Sequence, residues 1–403
     1  MIKNITNIRG ITCWGAHTGV KSMRRDLAII FSRVPASAAA VFTQNQVVAA
    51  PVTVSQNNIA DGKAQAIVIN AGNANAATGK QGMEGAKAMT HALAEELGIA
   101  EDLVLVASTG IIGVEFPTTE IVEGIRENSK NLTNRSNAGS FVANAILTTD
   151  TYAKEGFVEF EVDEREINIG GIAKGSGMIH PNMATMLAFI VTDIAIEPNL
   201  LKTILKETVD KSFNMITVDG DTSTNDMVVV LANGLAQNEI IKSKRDKGYA
   251  IFKKHLEEMM IHLAQLIVSD GEGASKFIEY EIVNAPSEDY ARTMIRKISD
   301  SDLVKTAMFG RDPNWGRIIS AAGNAGLPFD YEKIDLFIGS DKKTEMVLEK
   351  GSPLAFDTNH IKKLLKESHL KIVLDLHSGK AKSKGWGTDL TTDYVLFNSV
   401  YTT

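Results

Sequence analysis

The chain has 403 residues, 44% of them hydrophobic, with 42 basic and 49 acidic side chains and a formal net charge of −7. That length exceeds one compact core and suggests two or three, and the apolar share excludes wholesale disorder. The acidic balance argues against a nucleic-acid surface, and the single cysteine, Cys13, excludes a disulfide framework or a cysteine-built metal site within the chain. No apolar run approaches the roughly 20 residues of a membrane-spanning helix. Residues 1–10 are too polar for a signal-peptide core. The expectation is a cytoplasmic protein with no membrane or nucleic-acid partner.

In chain order, residues 27–32 and 38–43 read as two strands. Residues 66–69 read as a short apolar strand running into the turn-rich stretch 70–79. Helical spacing follows over 82–97, with Met83, Ala86, Met89, Leu93 and Leu97 on one side and Gly98 placed to cap the end. Residues 103–107 are strand-like and stop at Ser108-Thr109-Gly110. Apolar and charged residues alternate over 157–169, which reads as one half-exposed strand. Glycines and small polar residues crowd 170–184, and a dense apolar run fills 186–191.

The second half repeats the mixture. Residues 200–213 and 249–266 have helical spacing, while 227–231, 334–338 and 370–376 read as strands. The basic stretch 242–254 also holds Asp246 and reads as a solvated helix face. The tail from Tyr394 reads as a strand ending in an amide and hydroxyls. Together these elements give an α+β architecture of layered sheets and helices.

Three attractive motifs fail on spacing. Asp219-Gly-Asp221 opens like a calcium loop, but Thr224 stands where glycine is wanted and Val230 where the bidentate glutamate belongs. Lys174-Gly-Ser176 looks like a phosphate loop with its glycine on the wrong side of the lysine. The eight histidines include no His-x-x-x-His pair that would seat zinc on a helix.

Four features survive. The run Ala173-Lys-Gly-Ser-Gly-Met-Ile-His-Pro-Asn-Met-Ala-Thr-Met-Leu-Ala188 sets Thr185 where a glycine- and proline-bearing loop meets a buried strand. A threonine hydroxyl needs a base, and its own α-amine serves once the preceding peptide bond is cut. A loop that merely enters a core strand gives the same pattern. Thr109 and Gly110 leave a strand end, where a hydroxyl and a backbone N–H suit an oxyanion, or a plain turn. Asp270-Gly-Glu272-Gly sets a carboxylate between glycines, suited to facing an amine or to a polar turn. The tail with Asn398 and Thr403 suits closure over a polar ligand, or a frayed end.

Taken together these segments resemble the ornithine acetyltransferases of arginine biosynthesis, also called the bifunctional arginine biosynthesis (glutamate N-acetyltransferase) family. The run around Thr185 looks like its self-cleavage signature. Val34-Pro-Ala-Ser-Ala38, Ala49-Ala-Pro51, Asn70-Ala-Gly-Asn-Ala-Asn-Ala76, Thr148-Thr-Asp-Thr151, Asp270-Gly-Glu-Gly273 and Asp312-Pro-Asn-Trp-Gly-Arg317 match in order and spacing. Departures fall at Ala77, in Thr12-Cys-Trp-Gly-Ala-His17, and at Ser399, Val400 and Thr402.

The resemblance implies a two-domain layered sandwich shared with self-cleaving β-aminopeptidases. It implies cleavage between Ala184 and Thr185, leaving an α chain of residues 1–184 and a β chain of 185–403 that stay associated, commonly as α2β2. Thr185 would carry acetyl from N2-acetyl-L-ornithine to L-glutamate in a ping-pong reaction, with no metal or bound cofactor. Acetyl-CoA as a second donor is left open. Thr109 and Gly110 match the family's oxyanion pair, and Thr148, Lys174, Thr185, Glu272, Asn398 and Thr403 its substrate-binding positions. The same nucleophile would serve an amidase or peptidase that uses water as acceptor.

Overall fold

In the computed structural model, residues 3–180 and 186–400 are described. The cleavage position Ala184–Thr185 and the terminal Thr403 therefore lie outside the described residues. The chain begins with β1 (Ile11–Ala16), β2 (Leu27–Phe42), α1 (Ala50–Asn58), β3 (Lys63–Asn73), α2 (Gly79–Leu97), β4 (Val104–Ile111), α3 (Thr118–Asn128), α4 (Ser136–Ala145), β5 (Lys154–Val162) and β6 (Arg165–Lys174). It continues with β7 (Leu187–Thr192), α5 (Pro198–Val209), β8 (Ile216–Thr217), β9 (Met227–Ala232), α6 (Lys247–Ser269) and β10 (Phe277–Ala285). The last part comprises α7 (Glu288–Ser299), α8 (Asp302–Phe309), α9 (Trp315–Gly323), β11 (Asp335–Ser340), β12 (Thr344–Glu349), β13 (Ser352–Pro353), α10 (Thr358–Leu364), β14 (His369–Asp375), β15 (Ala381–Thr388) and α11 (Thr392–Val400).

The first sheet runs β4-β3-β2-β9-β7-β6-β5, with β1 added on β2. Its inner strands β7 and β9, with most of β4, read as continuous apolar runs because both faces are covered. In β7, Leu187, Phe189 and Val191 point to the side of α4, while Ala188 and Ile190 point to α5 and α6. In β4, Val104 and Val106 meet Met89 and Leu93 of α2 and Ile121 of α3, while Leu105 and Ala107 join the opposite core.

The second sheet runs β13-β12-β11-β14-β10-β15-β8. One core is continuous from Ile190 and Val230 in the first sheet, through Leu256 and Leu263 of α6, to Ile278 and Leu374 in the second. Strands on both sides of 184/185 share one sheet. β7 and β9 lie inside the sheet that β1–β6 build, and Lys174 of β6 pairs with Leu187 of β7. The whole described chain thus matches the layered α+β expectation.

Several elements differ from the sequence reading. Residues 27–42 form one strand rather than two, with its pairing to β3 shifting between Phe31 and Ala36. Pro35 sits in that irregularity, where its missing N–H removes no ladder bond. The stretch 157–169 is a hairpin, β5 and β6, turning at Asp163 and Glu164 with φ of 48° and 61°. Two consecutive positive φ values suit the tight two-residue hairpin turn, and without a glycine there the sequence carried no turn signal. The helix read over 200–213 stops at Val209, before a separate turn at Phe213–Met215. The tail is helical rather than a strand. The Thr391 hydroxyl accepts the Tyr394 N–H at 3.1 Å, the bond that starts a helix. Within the basic stretch, Lys244 and Lys253 both pair with Glu207 of α5.

Candidate active site

The site is built where strand ends meet. β3 and β4 run parallel, with Ala71 beside Thr109 and Gly72 beside Gly110. Gly110 has φ of 135°, and a Cβ there would stand 2.3 Å from the carbonyl carbon of Gly72. Only glycine allows the two backbones to approach so closely. The Asn225 amide bridges this region, donating to the carbonyl oxygens of Ala74 at 2.6 Å and Ser108 at 2.9 Å.

Lys174 ends β6 and is buried. Its ammonium donates to Thr148 Oγ1 at 2.8 Å and to Thr109 Oγ1 at 3.4 Å, and lies 3.9 Å from Asp150 Oδ2. Burial pushes its pKa down, the Asp150 charge pulls it back up, and Lys154 adds to the depression. Asp150 also accepts the N–H of Gly175 at 2.7 Å and of Thr148 at 3.0 Å, fixing the backbone on both sides of the lysine tip.

Beneath it lies an ion network the sequence did not disclose. Lys154 is fully buried and bonds Asp150 at 2.7 Å and Asp270 at 2.6 Å. Asp270 in turn accepts the N–H and hydroxyl of Thr151. Burial pushes the Asp150 carboxyl up, but the Lys174 and Lys154 charges with the Lys154 and Gly175 hydrogen bonds outweigh it and bring it down to about 2. Asp150 is therefore ionised, and the buried cations have their counter-charge.

Opposite Lys174, the turn after α6 brings Glu272 over the backbone of Gly177. A Cβ on Gly177 would stand 2.2 Å from Glu272 Oε2, so a larger residue would push that carboxylate aside. The Asn398 amide of α11 donates to the same carboxylate at 3.1 Å. Tyr394, also on α11, donates to Asp219 Oδ2 at 3.2 Å. A cleft of about 260 Å³ opens between these groups, lined by Thr109, Gly110, Thr148, Lys174, Glu272 and Asn398, with Asp219, Asp221 and Tyr394 among its other walls.

Six of the residues singled out from the sequence thus share one cleft. Ala184, Thr185 and Thr403 lie outside the described residues, but the chain just before 181–185 borders the cleft. Gly177 and Met178 line it, and Met186 leads into β7. Met178 stands at φ 56°, the left-handed region that side-chain-bearing residues rarely occupy. The sequence reading missed Asp150, Lys154, Asp270, Asp219, Asp226 and Tyr394. Asp150 and Asp270 lay inside quoted motifs, and nothing but the fold reveals that both hold Lys154.

Among the described residues no helix is long and apolar enough to cross a membrane. The profile of the ArgJ family matches residues 12–403. Curated relatives include the arginine biosynthesis bifunctional protein ArgJ of Thermotoga neapolitana, 48% identical over 397 residues, spanning 98% of this chain and 99% of that one. The protein of the same name from Caldanaerobacter subterraneus subsp. tengcongensis is 46% identical over 395 residues, spanning 98% and 97%. The crystal structure of arginine biosynthesis bifunctional protein argJ from Bacillus halodurans is 43% identical with a TM-score of 0.50, over 53% of this chain and 98% of that chain. With a family match over nearly its whole length and relatives close to half identical, the chain belongs to the ArgJ family.

Proposed function

We infer that this chain is an acetyltransferase of arginine biosynthesis that moves acetyl from N2-acetyl-L-ornithine to L-glutamate through an acetyl-threonine intermediate. The observation that carries the reading is the cleft itself. One buried cation, Lys174, faces the carboxylates of Glu272, Asp219 and Asp221 across a space the size of an amino acid. Ornithine carries one carboxylate and two amines, so that charge pattern suits it. The bifunctional names of the relatives support a second use of the site, acetylation of glutamate from acetyl-CoA. They also favour acetyl transfer over hydrolysis by water.

The chain matures by its own cleavage before Thr185, giving fragments of 184 and 219 residues from 403. The Thr185 hydroxyl attacks the Ala184 carbonyl carbon, the C–N bond breaks, and the nitrogen becomes an amine. Water then releases Ala184 as a carboxylate. Because β7 pairs with both β6 and β9, the two fragments would remain in one sheet after the cut.

In transfer, Thr185 Oγ attacks the acetyl carbon and its proton passes by way of the α-amine to the departing ornithine nitrogen. The glutamate amine then attacks the ester and the proton returns to Thr185. Thr109 Oγ1 and the Gly110 N–H receive the oxyanion of each step. Lys174 and Thr148 hold the shared α-carboxylate, Glu272 holds an amine, and Asn398 with Thr403 completes the binding set. We place the enzyme in the cytoplasm as an α2β2 assembly.

The test is a mass spectrum. Mature protein given acetylornithine without glutamate is expected to gain about 42 daltons, one acetyl, on the fragment beginning Thr-Met-Leu. Thr185→Ala is expected to give one uncut, inactive chain. Two fragments from that variant, or no adduct on the wild type, would refute the reading.

A further inference from the structure

The loop that joins β8 to β9 grips both flanks of segment 181–185. On the upstream side, Asp219 accepts the N–H of Met178 at 2.6 Å and of Ile179 at 2.9 Å, and Val218 N–H bonds the Ile179 carbonyl at 2.9 Å. On the downstream side, Asp226 Oδ1 accepts the Met186 N–H at 2.8 Å, and Met227 N–H holds the Met186 carbonyl at 3.2 Å. Asn225, between the two anchors, ties the loop to the carbonyl oxygens of Ala74 and Ser108 beside Thr109. Asp219 and Asp226 are seven residues apart, so one short loop fixes both ends of the segment and the strand carrying Thr109.

Asp226 is the less expected of the two. It is 1% exposed. Burying a carboxyl group is costly, and packing alone would be served by an apolar side chain. The peptide unit it holds is the one joining Thr185 to Met186, and a peptide unit is planar. Holding its N–H therefore fixes Met186, the first described residue after the cleavage position. Misplacing a reacting group by about 1 Å costs on the order of a hundredfold in rate.

We propose that Asp226 is a positioning residue for self-cleavage, holding the Met186 N–H, directly after the cleavage position, in place relative to the strand of Thr109. The inference rests on the self-cleavage reading above. Asparagine keeps the size of the side chain and an oxygen that can accept the Met186 N–H, so it is a close substitute for Asp226.

Full-length wild type, Thr185→Ala, Asp226→Ala and Asp226→Asn are compared. Fragment formation is followed by denaturing electrophoresis and intact mass, and folding by thermal melting. Asp226→Ala is expected to cut about a hundredfold more slowly. Asp226→Asn, whose amide oxygen still accepts the N–H, is expected to cut near the wild-type rate. Asp226→Ala cutting at the wild-type rate overturns the proposal. So does a folded Asp226→Asn as slow as Asp226→Ala, since lost acidity would then be the cause. Should Asp226→Ala not fold, Asp226→Glu replaces it, its anchor displaced by one methylene. Slow Glu with fast Asn supports the role, and any other pairing overturns it. A wild type that never cuts would instead sink the self-cleavage reading, leaving the two failures distinguishable.

Discussion

The Lys174 ammonium donates to the hydroxyls of both Thr148, at 2.8 Å, and Thr109, at 3.4 Å. One side chain on β6 thus spans the loop after α4 and the end of β4. In the proposed reaction these groups have different tasks, substrate carboxylate on one side and oxyanion on the other. Their shared contact means that neither can shift without the other. Asp150, 3.9 Å away and itself held by Lys154, pulls the lysine's pKa back up against its burial.

Lys174→Met should raise KM for acetylornithine and for glutamate together, because both carry the α-carboxylate. Loss of a buried charge-assisted bond costs about 2–5 kcal/mol, or roughly 30-fold or more in kcat/KM. The wild type should also lose kcat/KM on the alkaline side before an exposed lysine would discharge. Burial lowers the Lys174 pKa, and only its charged form attracts a carboxylate. Steady-state rates across alkaline pH check both points. Unchanged KM values in the variant would remove Lys174 from the carboxylate site.

Gly110→Ala and Thr109→Ala attack the oxyanion pair by different routes. Alanine at 110 must adopt φ of 135° and push its Cβ against Gly72, so the β3–β4 ends must separate and the N–H moves. Thr109→Ala deletes only a hydroxyl and should leave the fold intact. Each should slow both maturation and transfer by about 10²–10³-fold. Single-turnover acetylation and fragment formation measure the two steps. Equal wild-type rates in Thr109→Ala would rule the hydroxyl out.

Much of this site was legible in the sequence, and the reason is local. Gly110 is required by backbone closing to within 2.3 Å of where a Cβ would stand, and such demands mark short motifs. The apolar runs of β4, β7 and β9 were equally plain, since strands buried on both faces need no periodicity to be seen. What stayed hidden depends on long-range pairing. Lys154 reads as an ordinary charge until the fold sets Asp270, 116 residues away, against it. The tail misled because Val395 and Leu396 look like strand residues, yet both are exposed on α11, which is held by the Thr391 hydroxyl and by Asn398 on Glu272.

Asp150 should make the protein acid-sensitive in a defined window. Its folded pKa of about 2 lies below the unfolded value of 3.8, so its contribution is fully present above about pH 4 and is lost as pH falls through 2. The shift corresponds to about 2 kcal/mol. Asp150→Asn should therefore be less stable than wild type at pH 7 by at least that amount, because Lys154 and Lys174 lose a counter-charge. The gap should narrow toward pH 2. Urea unfolding at several pH values measures it, and a gap that stays constant with pH would show that Asp150 does not titrate as described.

Glu272→Gln separates the two substrates. In a ping-pong reaction the kcat/KM for each substrate reports its own half-reaction. Only ornithine carries a side-chain amine, whereas glutamate brings a second carboxylate into a cleft already walled by Glu272, Asp219 and Asp221. If Glu272 holds the side-chain amine, the neutral glutamine should cut kcat/KM for acetylornithine by about 10–100-fold, the worth of a charge-assisted hydrogen bond. The value for glutamate should hold or rise, as a repulsion is removed. If Glu272 instead holds the α-amine, both values should fall together, because that nitrogen reacts in each half. Asn398→Ala frees the carboxylate without removing its charge, losing the 3.1 Å bond that steadies it. It should follow the same pattern as Glu272→Gln with a smaller effect, and an opposite pattern would mean that Asn398 contacts substrate directly rather than through Glu272.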